Sequence, residues 1–106
     1  MIIDLNDSNF DQATSSGVTL VDFYADWCAP CRRMMPKVYS VAEALQGKVT
    51  VAKVNVDEAR NTAAKFGVRS IPTFALIKDG KVLRISAGSK SEQDLLLFAE
   101  SYNRGV

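Results

Sequence analysis

The chain has 106 residues, which is enough for one domain and too few for two domains with separate cores. Its composition, 47% hydrophobic and 24% charged, is that of a globular protein and argues against disordered and fibrous chains. Thirteen basic and twelve acidic side chains leave a formal net charge of +1, so the sequence has no electrostatic footprint for nucleic acid or an acidic membrane surface.

Two further features narrow the class of protein. The apolar runs are far shorter than the roughly 20 residues that a transmembrane helix needs, and the first residues lack a secretory leader. We therefore expect a cytoplasmic protein that crosses no membrane. The chain contains no histidine, which excludes Cys-His and Ser-His nucleophile pairs and metal sites built on imidazole. The two cysteines, Cys28 and Cys31, become the first candidates for chemistry.

The first half of the chain predicts two strands and two helices. Residues 2–3 predict a short strand, and Asn6 is the expected N-cap of a helix over 7–14. The nearly continuous apolar segment 18–25 is typical of a strand that is covered on both faces. A helix over 28–46 follows. Its buried face is expected at four positions: Met35, Val38, Ala42 and Leu45.

The second half predicts a mixed sheet. Segment 49–56 is a second buried strand, and the segment before it is long enough for a right-handed crossover helix that joins two parallel strands. Four further elements are predicted: a short helix over 58–66, strands over 73–77 and 81–86 joined at Asp79-Gly80, and a capped helix over 91–103. The order β-α-β-α-β-α-β-β-α indicates an α/β protein. We expect a parallel β-α-β unit and an antiparallel hairpin in one central sheet, with helices on both faces.

The two cysteines, three residues apart where a strand meets a helix, allow three interpretations. A structural disulfide is disfavoured, because closing so short a loop removes only about 2 kcal/mol of unfolded-chain entropy. Metal binding is disfavoured, because two thiolates without histidine would need carboxylates or a second chain to complete the site. The third interpretation is a redox pair that cycles between dithiol and disulfide. We favour it and predict no metal and no bound cofactor.

The start of the helix separates the roles of the two cysteines. Cys28 faces unsatisfied N–H groups and the positive end of the helix dipole, which favour its thiolate. Pro30 fits the first turn because it has no N–H there to leave unpaired. Cys31, one turn further, should be less exposed and less acidic, so we expect Cys28 to attack and Cys31 to resolve. Arg32 and Arg33 form a solvated face or help to hold the thiolate.

The sequence resembles the thioredoxin family over essentially its whole length. The matching stretches are VDFYADWCAPC at 21–31, VAKVNVD at 51–57, GVRSIPTF at 67–74 and the turn at 79–80. The resemblance implies the thioredoxin fold, reduction of protein disulfides and re-reduction by a thioredoxin reductase, either flavin- or ferredoxin-linked. Ala29 stands where the family usually has glycine, and it adds a methyl group where a partner backbone must approach. Related oxidising families tend to place a histidine between the cysteines, so its absence favours a reductant.

Asp22 and Lys53 are charged residues inside apolar strands. Burial would raise the pKa of Asp22 and make it a proton acceptor for Cys31. Lys53 is a plausible partner for its charge. The alternatives are a structural ion pair or an Asp22 side chain that faces solvent at a sheet edge; the family resemblance favours the functional role.

Four further residues are expected to shape the substrate site. The resemblance implies a cis bond before Pro72, which would present the backbone of Ile71 to a substrate strand. Trp27 is either a core residue or a flat wall beside the cysteines on which substrates dock. Gly88 would leave room for a partner's backbone.

These residues together predict a monomeric protein-disulfide reductase whose clients are disulfide-containing proteins. The alternative is an interaction or scaffold subunit that keeps the fold and has incidental cysteines.

Overall fold

A computed structural model of the protein describes residues 1–103. The five strands are β1 (Ile2–Leu5), β2 (Val18–Tyr24), β3 (Thr50–Asn55), β4 (Thr73–Lys78) and β5 (Lys81–Ala87). The helices are α1 (Phe10–Ala13), α2 (Ala29–Ala44), α3 (Arg60–Lys65) and α4 (Glu92–Glu100), and a 3₁₀ turn (Ser101–Asn103) follows α4. The predicted order of elements is confirmed. Within residues 1–103, no helix is long and apolar enough to span a bilayer.

The strands form one mixed sheet in the order β1-β3-β2-β4-β5. The strands β1, β3 and β2 are parallel, whereas β4 runs antiparallel to both β2 and β5. The predicted combination of a parallel unit and an antiparallel hairpin is therefore confirmed. The β4–β5 turn has Asp79 and Gly80 at positive φ, as a tight hairpin turn requires. The apolar β2 lies at the centre, where it is covered on both faces.

Each face of the sheet packs against two helices. Because side chains alternate along a strand, the residues of β2 divide between the two faces. Leu20 belongs to the core beneath α2 and α4, and Phe23 belongs to the core beneath α1 and α3. The α2 layer is filled mainly by six buried side chains: Leu20, Met34, Val38, Val51, Phe74 and Leu95. Helices on both faces were expected, and this expectation is confirmed.

Two short helices begin later than predicted. The Asn6 side chain accepts hydrogen bonds from the backbone N–H groups of Ser8 and Asn9, so it caps a turn, and α1 starts only at Phe10. Helix α3 starts at Arg60, not at residue 58. Its N-cap Ala59 has no side-chain acceptor, and the Asp7 carboxylate instead accepts hydrogen bonds from the backbone N–H groups of Asn61 and Thr62.

Of the four positions predicted for the buried face of α2 and its C-cap, three are buried: Val38, Ala42 and Leu45. Met34 is buried, whereas Met35 is only half-buried, so the prediction for Met35 was wrong. Cys31, which is buried at the start of the helix, marks the face that points inward, and the helical period then selects the other buried positions. Positions three or four residues apart from Cys31 onward include 34, 38, 41, 42 and 45, and all of these are buried.

Candidate active site

The two cysteines lie at the end of the sheet where β2 passes into α2. Cys28 is the N-cap of α2, and its backbone N–H donates a hydrogen bond to the carbonyl of Ala25. Cys28 and Cys31 form a disulfide, with 5.3 Å between their Cα atoms. Cys31 is 1% exposed and Cys28 is 4% exposed, so the predicted order of exposure holds, although both residues are buried.

The sulfur of Cys28 occupies the position of a capping acceptor. The backbone N–H of Cys31 donates to Cys28 Sγ at 3.2 Å, and Pro30 lies in the first turn of the helix as predicted. Because the helix dipole places positive charge at the same point, this position favours a thiolate at Cys28 over a thiol. Arg32 donates to the carbonyl of Asp26 at 2.6 Å, so it contacts the loop before the helix, and Arg33 is exposed.

A second loop lies against the disulfide. The Ile71–Pro72 peptide bond is cis, as the family resemblance implied, and the carbonyl oxygen of Ile71 lies 3.8 Å from Cys28 Sγ. The N–H of Gly88 donates to the carbonyl of Pro72 at 2.8 Å, which places Gly88 beside this loop. A Cβ at Gly88 would meet no atom within 4 Å, so there is open space, and the positive φ of 100° is what favours glycine.

Trp27 is a surface residue held by a hydrogen bond. It is 69% exposed, so the core-packing interpretation was wrong. Its indole Nε1 donates to Asp57 Oδ2 at 2.8 Å, and the N–H of Asp57 donates in turn to Asn55 Oδ1. Sequence reasoning missed Asp57. The sequence did contain a signal for it. Asp57 follows β3 as Cys28 follows β2, and the carboxyl ends of parallel neighbouring strands lie at one edge of a sheet, so Asp57 could have been predicted to lie near the cysteines.

Asp22 is a buried carboxyl group without a hydrogen-bond partner. It lies in β2 with 0% exposure, and neither of its oxygens has a partner among the described residues. The interpretation of a solvent-facing side chain was therefore wrong. Burial raises the pKa of Asp22 to about 7, and the positive charge of Lys53 opposes this rise. Strand alternation places Asp22 on the same face as Leu20, which is the face that α2 covers.

Lys53 does not pair with Asp22. The two residues are neighbours in the β2–β3 register, but the ammonium group lies 3.6 Å from the carboxylate of Asp4 and 5.5 Å from the centre of the Tyr24 ring. The structure gives no ion pair between them, because the Lys53 side chain leans away from Asp22 toward the exposed edge strand β1. Lys53 acts on Asp22 through its charge alone.

A small cleft leads from the surface to the second cysteine. Its volume is about 190 Å³, and its lining includes Cys31, Met35, Tyr24 and Lys53. A larger groove of about 560 Å³ lies between β5 and α4 and is lined by neither cysteine. In the part of the chain that the structure describes, no three Cys, Asp or Glu side chains converge to hold a metal ion.

Comparison with known proteins agrees with this arrangement. A family profile described as Thioredoxin matches residues 1–101. The chain is 40% identical to the thioredoxin of Pseudomonas aeruginosa over 102 residues, which are 94% of each chain. It is 40% identical to the thioredoxin of Bacillus subtilis over 94 residues, 89% of this chain and 90% of that one. The structure of a mutant thioredoxin from Halobacterium salinarum superposes with a TM-score of 0.88 at 38% identity, covering 99% of this chain and 93% of that one.

The fold, the redox pair and the relatives lead to the same conclusion. A five-stranded mixed sheet carries a C-x-x-C pair at the start of a helix, and the pair is close enough to form a disulfide. The chain belongs to the thioredoxin family, and it is a protein-disulfide oxidoreductase whose redox pair is Cys28 and Cys31.

Proposed function

We propose that the chain reduces disulfides in client proteins by two successive thiol–disulfide exchanges, with Cys28 as the attacking thiol and Cys31 as the resolving thiol. The observation that carries this assignment is the hydrogen bond from the Cys31 N–H to Cys28 Sγ. It gives Cys28 an amide and a helix dipole that stabilise negative charge on its sulfur. The sulfur of Cys31 lies within the helix and does not cap it.

In the first exchange, the Cys28 thiolate attacks one sulfur of the client disulfide. The client S–S bond breaks as the Cys28–client bond forms, and the second client sulfur leaves as a thiolate that takes a proton from water. The rim around the disulfide would hold the client. The residues proposed for this contact are Trp27, Ala29, Pro30, Ile71, Pro72 and Gly88.

In the second exchange, Cys31 displaces the client. The Cys31 thiol loses its proton to the Asp22 carboxylate, and the resulting thiolate attacks Cys28 Sγ. The Cys28–client bond breaks, the client sulfur that was bound to Cys28 leaves as a thiolate, and the Cys28–Cys31 disulfide forms. Two features support this role for Asp22: its carboxyl lies under the helix that carries Cys31, and its pKa near 7 allows it to accept and release a proton at neutral pH.

The oxidised chain then needs two electrons from a partner. Members of this family generally work with a thioredoxin reductase and with disulfide-containing clients. We propose that a thioredoxin reductase, flavin- or ferredoxin-linked, reduces Cys28–Cys31, and that residues 1–106 act as one monomeric domain in the cytoplasm. The chain itself would need no bound cofactor, because its two thiols hold the electrons.

The cysteine roles are tested by two serine variants. Cys28→Ser should reduce insulin disulfides no faster than background, because it lacks the attacking thiolate. Cys31→Ser should still attack, and it should accumulate clients as mixed disulfides on a non-reducing gel. Circular dichroism of both variants checks the fold. Unchanged biological activity of folded Cys28→Ser would favour the scaffold alternative, and the absence of trapped clients in Cys31→Ser would refute the assigned roles.

The role of Asp22 is tested by Asp22→Asn, which keeps the shape of the side chain but cannot take the proton. The second exchange should slow on the order of 100-fold or more, because general-base assistance is lost, while the first exchange changes little. Rapid mixing with a single-disulfide client, followed by the fluorescence of Trp27, separates the two phases. Asp11→Asn, which makes the same change at an exposed site, should leave both phases unchanged. Equal slowing of both phases in Asp22→Asn would contradict the role.

The raised pKa of Asp22 also predicts the pH dependence of stability. The unfolded carboxyl ionises near 3.8 and the folded one near 7, so the folded state is fully favoured below about pH 4 and loses that advantage as pH rises to about 7. A rise from 3.8 to about 7 corresponds to roughly 4 kcal/mol. Urea unfolding of the oxidised protein should therefore show Asp22→Asn gaining stability over the unchanged chain across this interval. A constant difference at all pH values would contradict the raised pKa.

A further inference from the structure

Three charged residues form a row across the parallel part of the sheet. Asp4 in β1 is the register partner of Lys53 in β3, and Lys53 is the register partner of Asp22 in β2. Strand alternation places all three on the face that α2 covers, since their neighbours two residues away belong to that layer. Lys53 therefore stands between two carboxyl groups that compete for one ammonium group.

The ammonium group pairs with the outer carboxylate. Lys53 Nζ lies 3.6 Å from Asp4 Oδ1, and the Asp4 side chain is 77% exposed at the edge strand of the sheet. Asp22, at the centre of the sheet, is left without a hydrogen-bond partner. Solvation explains why Lys53 pairs with Asp4 and not with Asp22. An ammonium group paired at the sheet edge keeps its contact with water, whereas an ammonium group paired at the centre of the sheet would lose that contact.

We propose that Asp4 is a positioning residue for the resolving step: by pairing with Lys53 at the sheet edge, it holds the ammonium group away from Asp22 and leaves that carboxyl able to exchange a proton with Cys31. This inference rests on the proposed role of Asp22 as proton acceptor. It extends the site to a residue of β1 that lines neither the disulfide nor its cleft.

The other groups that face this row can be identified. Interactions with Tyr24, Asp4 and Tyr39 raise the pKa of Lys53. The negative charges of Asp26 and Glu58 raise the pKa of Tyr24. Burial raises the pKa of Tyr24, so this side chain stays neutral at the pH where Asp22 titrates.

The remaining elements packed against the row add one ionisable group. β4 places Phe74 opposite Asp22, α4 contributes Leu95, and α2 contributes Cys31, which does not titrate while it is in the disulfide. In the oxidised protein, the charge that acts on Asp22 is therefore that of Lys53.

Removing the carboxylate of Asp4 acts on Asp22 through Lys53. It frees the Lys53 ammonium group to approach Asp22, and a closer positive charge favours the ionised form of Asp22. The pKa of Asp22 should therefore fall. The fold should tolerate the change, because an exposed ion pair contributes little to stability.

The test is Asp4→Asn in the oxidised full chain, with the Asp22 carboxyl carbon titrated by NMR. We expect the midpoint to move to lower pH by roughly half a unit or more. Asp11→Asn is the matched control, because it removes the carboxylate of another exposed ion pair, 3.5 Å from Lys65, and it should leave the midpoint in place. In Asp4→Asn/Lys53→Gln the freed cation is absent, so the midpoint should return toward or above that of the unchanged chain.

Kinetics of the reduced protein complete the test. The pH profile of the second exchange in Asp4→Asn should move by the same amount as the Asp22 midpoint, while the first exchange keeps its profile. An Asp22 midpoint that does not move in Asp4→Asn would overturn the inference and leave the role of Asp22 intact. A midpoint that moves while the profile of the second exchange stays fixed would refute Asp22 as proton acceptor, and the role of Asp4 with it.

Discussion

The hydrogen bond from the Cys31 N–H to Cys28 Sγ is the interaction on which the site depends. It exists because the chain turns directly from the central strand β2 into α2, with Cys28 as the last residue before the helix. The same turn that ends the strand therefore supplies the amide and the dipole that stabilise a thiolate. It also brings the second sulfur within bonding distance, so one local structure provides both the attacking group and the group that displaces the client.

The second constraint is the burial of Asp22. A carboxyl group without a partner in the centre of a sheet is costly, and an apolar residue would pack there at lower free energy. The cost has a chemical consequence, because burial brings the pKa to about 7, where proton exchange with a thiol is efficient. In our proposal, the ion pair of Lys53 with Asp4 at the sheet edge preserves this condition. Under the proposed role of Asp22, stability and reactivity depend on the same buried group.

The sequence predicts the fold and the redox pair because their signals are local. The apolar run of β2, the glycine-containing turns and the position of Cys28 before a helix are each set by neighbouring residues. The errors concern side chains whose environment depends on other elements. The Lys53 ammonium group pairs with the exposed Asp4 of the neighbouring strand, and Trp27 turns outward to reach Asp57. Long and amphipathic side chains can reach several partners, and only the assembled sheet selects one.

The most direct measurement is the rate of alkylation of Cys28 in the reduced protein over a pH series, with the urea-unfolded chain as reference. The capping position predicts that Cys28 reacts rapidly at neutral pH, with a midpoint well below the value of about 8.5 for an ordinary thiol, and that unfolding abolishes the difference. Equal midpoints for the folded and unfolded chains, or a folded Cys28 that no reagent reaches, would contradict the account.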